Sequence, residues 1–334
     1  MLIEEKNGLK LLKFDSFKGQ PGVAAAVSTR AGGVSSGRFA GLNLDAESGD
    51  SRETVAKNLS LFCAAFGADS GKICSMRQRH TANISVVEVG GGPPAENIDA
   101  LATAAAGVPL LALSADCALT VFYDLRHRAL AVAHSGWRGG LLNIYSSVLN
   151  VMRLRFGTVP ENVMAGVSPM ISSEHYPVGQ DFLEKLRAFY PGEEGLKFIT
   201  VREGRHHFSL RELLNHQLAA LGVRNYEFMH LCTFSEKDLF YSRRRDGEAT
   251  GRFALMAMLT QGYRVEGKPS TLYPAVSYPR QFWRAAGRKS AKERGVSPRR
   301  PFLAPNESLY SCRPFPPVPW QAQAVCPPCQ APEK

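Results

Sequence analysis

The longest apolar stretch of the chain, residues 101–123, must form either one membrane-spanning helix or several short buried elements. Gly107, Pro109, Ser114 and Asp116 interrupt it. No run therefore reaches the roughly 18 uninterrupted apolar residues that a spanning helix needs. Read in pieces, the stretch gives a buried strand at 109–113, a break at Ser114-Ala115-Asp116-Cys117, and a second apolar run at 119–123. A turn at 124–127 and a third run at 129–134 complete a hairpin. Gly136, Gly139 and Gly140 form the next turn. Leu141, Ile144, Tyr145, Val148, Leu149 and Met152 follow at the i, i+3, i+4 spacing of an amphipathic helix.

The same reading predicts strands at 23–28, 84–89, 163–167 and 226–231. One helix carries Val55, Leu59, Phe62 and Phe66 on one face, with Asp50 and Glu53 as its capping box. A second carries Phe182, Leu183, Leu186 and Phe189. Ser209 and Glu212 box the start of a third, and residues 253–259 read as a last helix. The expected class is α+β, with mixed β-sheets flanked by helices.

Charge divides the chain into two expected parts, a catalytic domain at 1–263 and a basic, proline-rich tail at 264–334. The tail holds 12 Lys and Arg against 4 Glu, and 13 of the 21 prolines, so most of the formal charge of +10 resides there. Such a segment shows little periodicity and reads as disordered. A nucleic-acid or acidic-protein partner would rest on it alone. The start, MLIEEKNGLK, has early acids and no apolar leader core, so the expected location is the cytoplasm, with no membrane partner. Seven cysteines, an odd number at wide spacing, argue against a disulfide framework.

Three residues carry the strongest chemistry. His80, Cys117 and His134 each fall at a strand boundary, where side chains point out of a sheet end. Imidazole and thiolate are ordinary zinc ligands, and three protein ligands leave a fourth position for water or substrate. The same atoms suit a Cys–His hydrolase, with Cys117 as nucleophile, His134 as base and Asp116 as orienter. Copper is a weaker alternative to zinc, because a multicopper oxidase needs many more ligands. Ser135-Gly136-Trp137-Arg138-Gly139-Gly140 opens a helix, where backbone N–H groups and Arg138 suit an anion. Arg30, in a glycine-rich turn, and Arg244 and Arg245, in an arginine run, are further phosphate-binding candidates.

These pieces together resemble the laccase-domain family, the purine nucleoside phosphorylases formerly called polyphenol oxidases and also called peptidoglycan editing factor. The matching segments are Ser28-Thr-Arg-Ala-Gly-Gly-Val-Ser35, Gln78-Arg-His80, Asp99-Ala100-Leu101, Ala115-Asp116-Cys117, His134-Ser-Gly-Trp-Arg-Gly139, Tyr176-Pro-Val-Gly179, Cys232-Thr233 and Tyr241-Ser-Arg-Arg-Arg-Asp246. They occur in family order over about residues 20–263. The resemblance implies zinc on His80, Cys117 and His134, a sandwich similar to Cys/His deamidating toxins, phosphorolysis of adenosine, inosine and methylthioadenosine, and deamination of adenosine. Asp116 then serves as a proton shuttle or as a partner that orients a ligand histidine. The family's other name implies an alternative, a Cys-dependent amidase that edits cell-wall precursors. The chain departs from the family pattern at Thr81, Leu119, Ser168, Pro177 and Ser209. At Pro177 the departure removes a loop acid.

Overall fold

A computed structural model describes residues 1–262. The tail expected at 264–334 lies outside the described residues. Within them, no helix is long and apolar enough to cross a membrane. The cysteines described, Cys63, Cys74, Cys117 and Cys232, are free thiols.

Two β-sheets carry the architecture. The five-stranded sheet runs Leu2–Lys6, Leu9–Lys13, Val23–Ser28, Phe253–Leu259, Leu110–Ser114, antiparallel throughout. The six-stranded sheet runs Asn225–Phe228, Val163–Val167, Ala118–Asp124, Ala129–Ser135, Ala100–Thr103, Ile84–Val86. Its outermost pairs are parallel and its inner pairs antiparallel. Strand alternation sends successive side chains to opposite faces. Leu119, Val121, Tyr123, Leu130 and Val132 of one sheet therefore meet Val27, Leu110, Ala112, Phe253 and Leu255 of the other in a shared core. The outer face of the six-stranded sheet is small, with Ala129, Ala131 and Ala133, which lets the helix Ile144–Phe156 lie close with Ile144, Tyr145, Val148 and Met152. On the far side, Arg52–Phe66 covers the five-stranded sheet through Phe62, Cys63 and Phe66. The α+β class expected from the sequence is the one observed.

Several local readings need correction. Residues 253–259 form a central strand, Phe253–Leu259, and no helix. Both faces of that strand are buried. Phe253, Leu255, Ala257 and Leu259 enter the inter-sheet core, while Ala254 and Met256 enter the core under the Arg52–Phe66 helix. A run buried on both sides is apolar throughout, so its periodicity does not distinguish strand from helix. The first helix is capped by Ser51, whose side chain accepts from Thr54 N, one residue later than expected. Asp50 instead accepts from Ser35 Oγ and Asn43 Nδ2. The glycine-turn helix is split in two, Trp137–Leu141 and Ile144–Phe156. Between them, Asn143 at φ 53° caps Ser146 N with its side chain. The Ser209 cap is present, accepting from Glu212 N.

Candidate metal centre

Hairpin register brings two of the three predicted ligands together. His134 pairs with Leu119 and Ser135 with Ala118, so the next step along each strand sets Gly136 against Cys117 at the sheet end. A Cβ at Gly136 would lie 2.7 Å from Cys117 Sγ and 3.0 Å from His80 Cδ2. Glycine is thus a steric requirement for the approach of those two side chains. His80 arrives from the loop after the short strand Met76–Arg77, with φ 60°. Its Nε2 is 3.9 Å from Cys117 Sγ, and its ring meets that of His134 edge-on with centroids 4.9 Å apart. One donor atom from each of the three residues lies within 4.8 Å of the others. Two imidazoles and a thiolate converging in this way fit a tetrahedral ion with one position open.

One carboxylate organises both histidines. Asp99, fully buried, accepts from His134 Nδ1 at 2.9 Å and from His80 N at 3.0 Å through Oδ1. Its Oδ2 accepts from Arg79 N, Thr81 N and Thr81 Oγ1. All five partners are donors, which requires the ionised form. Burial alone would raise the carboxyl pKa, but the hydrogen bond and charge of His134 and the Thr81 bonds hold it at about 2. With Nδ1 occupied, His134 turns Nε2 toward the cluster. Burial likewise disfavours charge on Cys117 and His134, yet each stabilises the charged form of the other. The thiol is pulled down and the imidazole pushed up, the latter helped by Asp99. Sequence reasoning did not assign Asp99 a role. The signal was present in the Asp99-Ala100-Leu101 segment, a lone acid opening a buried strand.

Asp116 does not orient a histidine. It sits at φ 100°, is 7% exposed, and spends one oxygen on Thr233 Oγ1 and the other on Arg244 N, both at 2.7 Å. The orienting role expected of it belongs to Asp99, because the strand bearing Asp99 is the one paired with the strand bearing His134.

The four candidate arginines separate by what already engages them. Arg30 gives its guanidinium to the carbonyls of Lys237 and Ala40 and packs 4.5 Å over the Tyr241 ring. Arg245 donates to Thr233 O, Phe234 O, Phe240 O and both oxygens of Asp246. Its fork is consumed in holding the loop, contrary to the expectation of a free charge for phosphate. Arg244 makes one long side-chain bond, to Pro177 O at 3.4 Å, and lies 5.1 Å over the Tyr176 ring. Arg138 is exposed and stacks 4.7 Å over Trp137. Tyr176 packs edge-on against the Phe208 ring, centroids 5.5 Å apart. Burial and then the charge at Cys117 raise its phenol pKa, against the pull of Arg244.

A family model described as multi-copper polyphenol oxidoreductase laccase matches residues 24–260. A purine nucleoside phosphorylase of Bacteroides thetaiotaomicron is 31% identical over 256 residues, covering 73% of this chain and 94% of its own length. One from Deinococcus radiodurans is 37% identical over 245 residues, covering 73% and 91%. Among solved structures, YlmD from Geobacillus stearothermophilus is similar with a TM-score of 0.71 at 28% identity, over 77% of this chain and 98% of that one.

Proposed function

The chain belongs to the multi-copper polyphenol oxidoreductase laccase family, and from that premise we propose that it is a zinc-dependent purine nucleoside phosphorylase. Its substrates are adenosine, inosine or methylthioadenosine together with inorganic phosphate, and adenosine deamination is a second reaction at the same site. The relatives named as purine nucleoside phosphorylases support this reading. The observation that carries it is the convergence of His80, Cys117 and His134 on one point, with a single carboxylate behind both histidines.

His80, Cys117 and His134 would hold the ion. Bound there, it supplies Lewis-acid polarisation at neutral pH. Among the described residues this is one group of three ligands. A mononuclear site therefore fits better than the several coppers in the family's description. In phosphorolysis the glycosidic C–N bond breaks, a phosphate oxygen bonds to the ribose carbon, and the purine leaves with a proton. The protein must hold an anion beside a sugar that develops positive charge. Of the four candidate arginines, Arg138 and Arg244 are the least committed elsewhere, and we assign them to phosphate. Asp99 holds His134 in the tautomer that presents Nε2 and fixes His80 through its backbone N–H.

One observation favours a second reading. Cys117, His134 and Asp99 form a thiolate–imidazole–carboxylate series, which would serve a Cys-dependent amidase. Incubation of the purified protein with adenosine, with and without phosphate, separates the readings. Adenine and ribose 1-phosphate mean phosphorylase, and inosine with ammonia means deaminase. An enzyme inert in both, whose Cys117 is alkylated by iodoacetamide equally with and without chelator, would favour the amidase.

A further inference from the structure

Asp116 precedes a proposed metal ligand, yet its carboxylate bonds Thr233 and Arg244 and no histidine. Its two acceptors are spent on a different part of the chain. Thr233 Oγ1 and Arg244 N each donate at 2.7 Å, and its own carbonyl accepts from Ile171 N at 2.9 Å. Asp116 is 7% exposed and Thr233 is fully buried, so the Thr233 bond is shielded from water, while the Arg244 bond is partly buried. Arg244 lies in a four-residue helix, Arg243–Asp246, with Arg243 and Arg244 exposed. So short a helix cannot hold itself together. Ser242 caps it from within, and the fork of Arg245 ties it to Thr233 O and Phe234 O. The Asp116 bond is the tie that runs from this segment to the ligand strand.

We propose that Asp116 is a positioning residue that fastens the arginine-bearing loop to the Cys117 wall, setting the place of the Arg244 guanidinium relative to the ligand cluster. It replaces the proton-shuttle role expected from sequence. A carboxylate whose two oxygens already accept hydrogen bonds at 2.7 Å from other parts of the chain is poorly placed to reach a substrate proton. The non-glycine φ of 100° fits the same role. Asp and Asn are among the non-glycine residues that tolerate a positive φ, and here the side chain reaches Thr233 and Arg244. The phosphate part of the proposal rests on the phosphorylase reading. The fastening itself does not.

The test compares wild type with Asp116→Asn, which keeps shape and backbone tolerance but sets an amide N–H against a donor. Two readouts are taken. Limited trypsin digestion, with cut sites mapped by mass, reports cleavage after Arg243–Arg245, which requires local opening of that segment. The expected result is cleavage about tenfold faster or more. Steady-state kinetics should show the KM for phosphate raised by about tenfold or more, with the KM for adenosine changed less than about threefold and metal content unchanged. A fall in kcat with phosphate KM and trypsin rate both unchanged would overturn the proposal in favour of a proton shuttle. Should wild type show no phosphorolysis, the functional reading fails, and the trypsin comparison alone decides the fastening. Where Asp116→Asn does not fold, Thr233→Val removes one of the two bonds and Thr233→Ser restores the hydroxyl. The valine variant should shift both readouts in the same direction and the serine variant should match wild type. Identical behaviour of the two overturns the proposal.

Discussion

Asp99 and Asp116 are both nearly buried beside the same cluster, and both use each oxygen in hydrogen bonds, yet they hold different regions. Asp99 accepts only from the segment that carries His80 and from His134 itself. Asp116 accepts from Thr233 and Arg244, residues on loops more than a hundred positions away in sequence. The first region is a floor whose geometry comes from paired strands, with Cys117 and Gly136 set opposite each other by register. The second is a rim of loops whose arginines are partly consumed by backbone carbonyls. The difference teaches that placement of the Cys117 and His134 donors is inherited from the sheet, whereas placement of the loop arginines has to be assembled from side-chain and backbone ties.

Changes in the floor should have the largest effects. Gly136→Ala puts a methyl 2.7 Å from Cys117 Sγ and 3.0 Å from His80 Cδ2, so both side chains must shift. The expected outcome is loss of stoichiometric metal with little change in thermal unfolding. Metal analysis and calorimetry on the same sample check it. Full metal content in this variant would break the contrast between a rigid floor and an adaptable rim. Next comes Asp99→Asn, which places an amide donor among five donors. Metal affinity should fall by roughly 10- to 100-fold, read by competition with a chromophoric chelator. The rim should respond more mildly and selectively. Arg138 is exposed, so Arg138→Ala should raise the KM for phosphate by about tenfold while adenosine deamination falls much less. Equal losses in both activities would move Arg138 from the anion to the turn. The smallest effect belongs to the tail. A chain ending at Lys268 should fold and keep turnover on adenosine within about threefold of the full chain. A loss of folding would show that the tail completes the domain.

His80, Cys117 and His134 could be singled out because each falls at a strand boundary, although their spacing carries no local motif and the same atoms suit a Cys–His hydrolase. The segments in family order raised the metal reading, and the structure brings the three side chains together. The α+β class was legible from the switch between apolar runs and i, i+3, i+4 spacing. Phe253–Leu259 was misread because burial on both faces erases the period that separates strand from helix. The strand Leu2–Lys6 escaped notice because all its residues are exposed and it pairs on one side alone. The division of labour between Asp99 and Asp116 was out of reach because it depends on which carboxylate faces which donor. Sequence adjacency to Cys117 pointed to the wrong acid. The spending of Arg245 on carbonyls is likewise a tertiary fact, as a run of three arginines gives no sign of which fork is free.

The central claim joins one ion on His80, Cys117 and His134 to nucleoside chemistry. Its most direct test is metal stoichiometry and product analysis on one preparation of wild type and of Cys117→Ala, each given adenosine and phosphate. The account predicts one zinc per wild-type chain, adenine and ribose 1-phosphate as products, and loss of both metal and turnover in the variant. Full zinc with undiminished turnover in Cys117→Ala would contradict it.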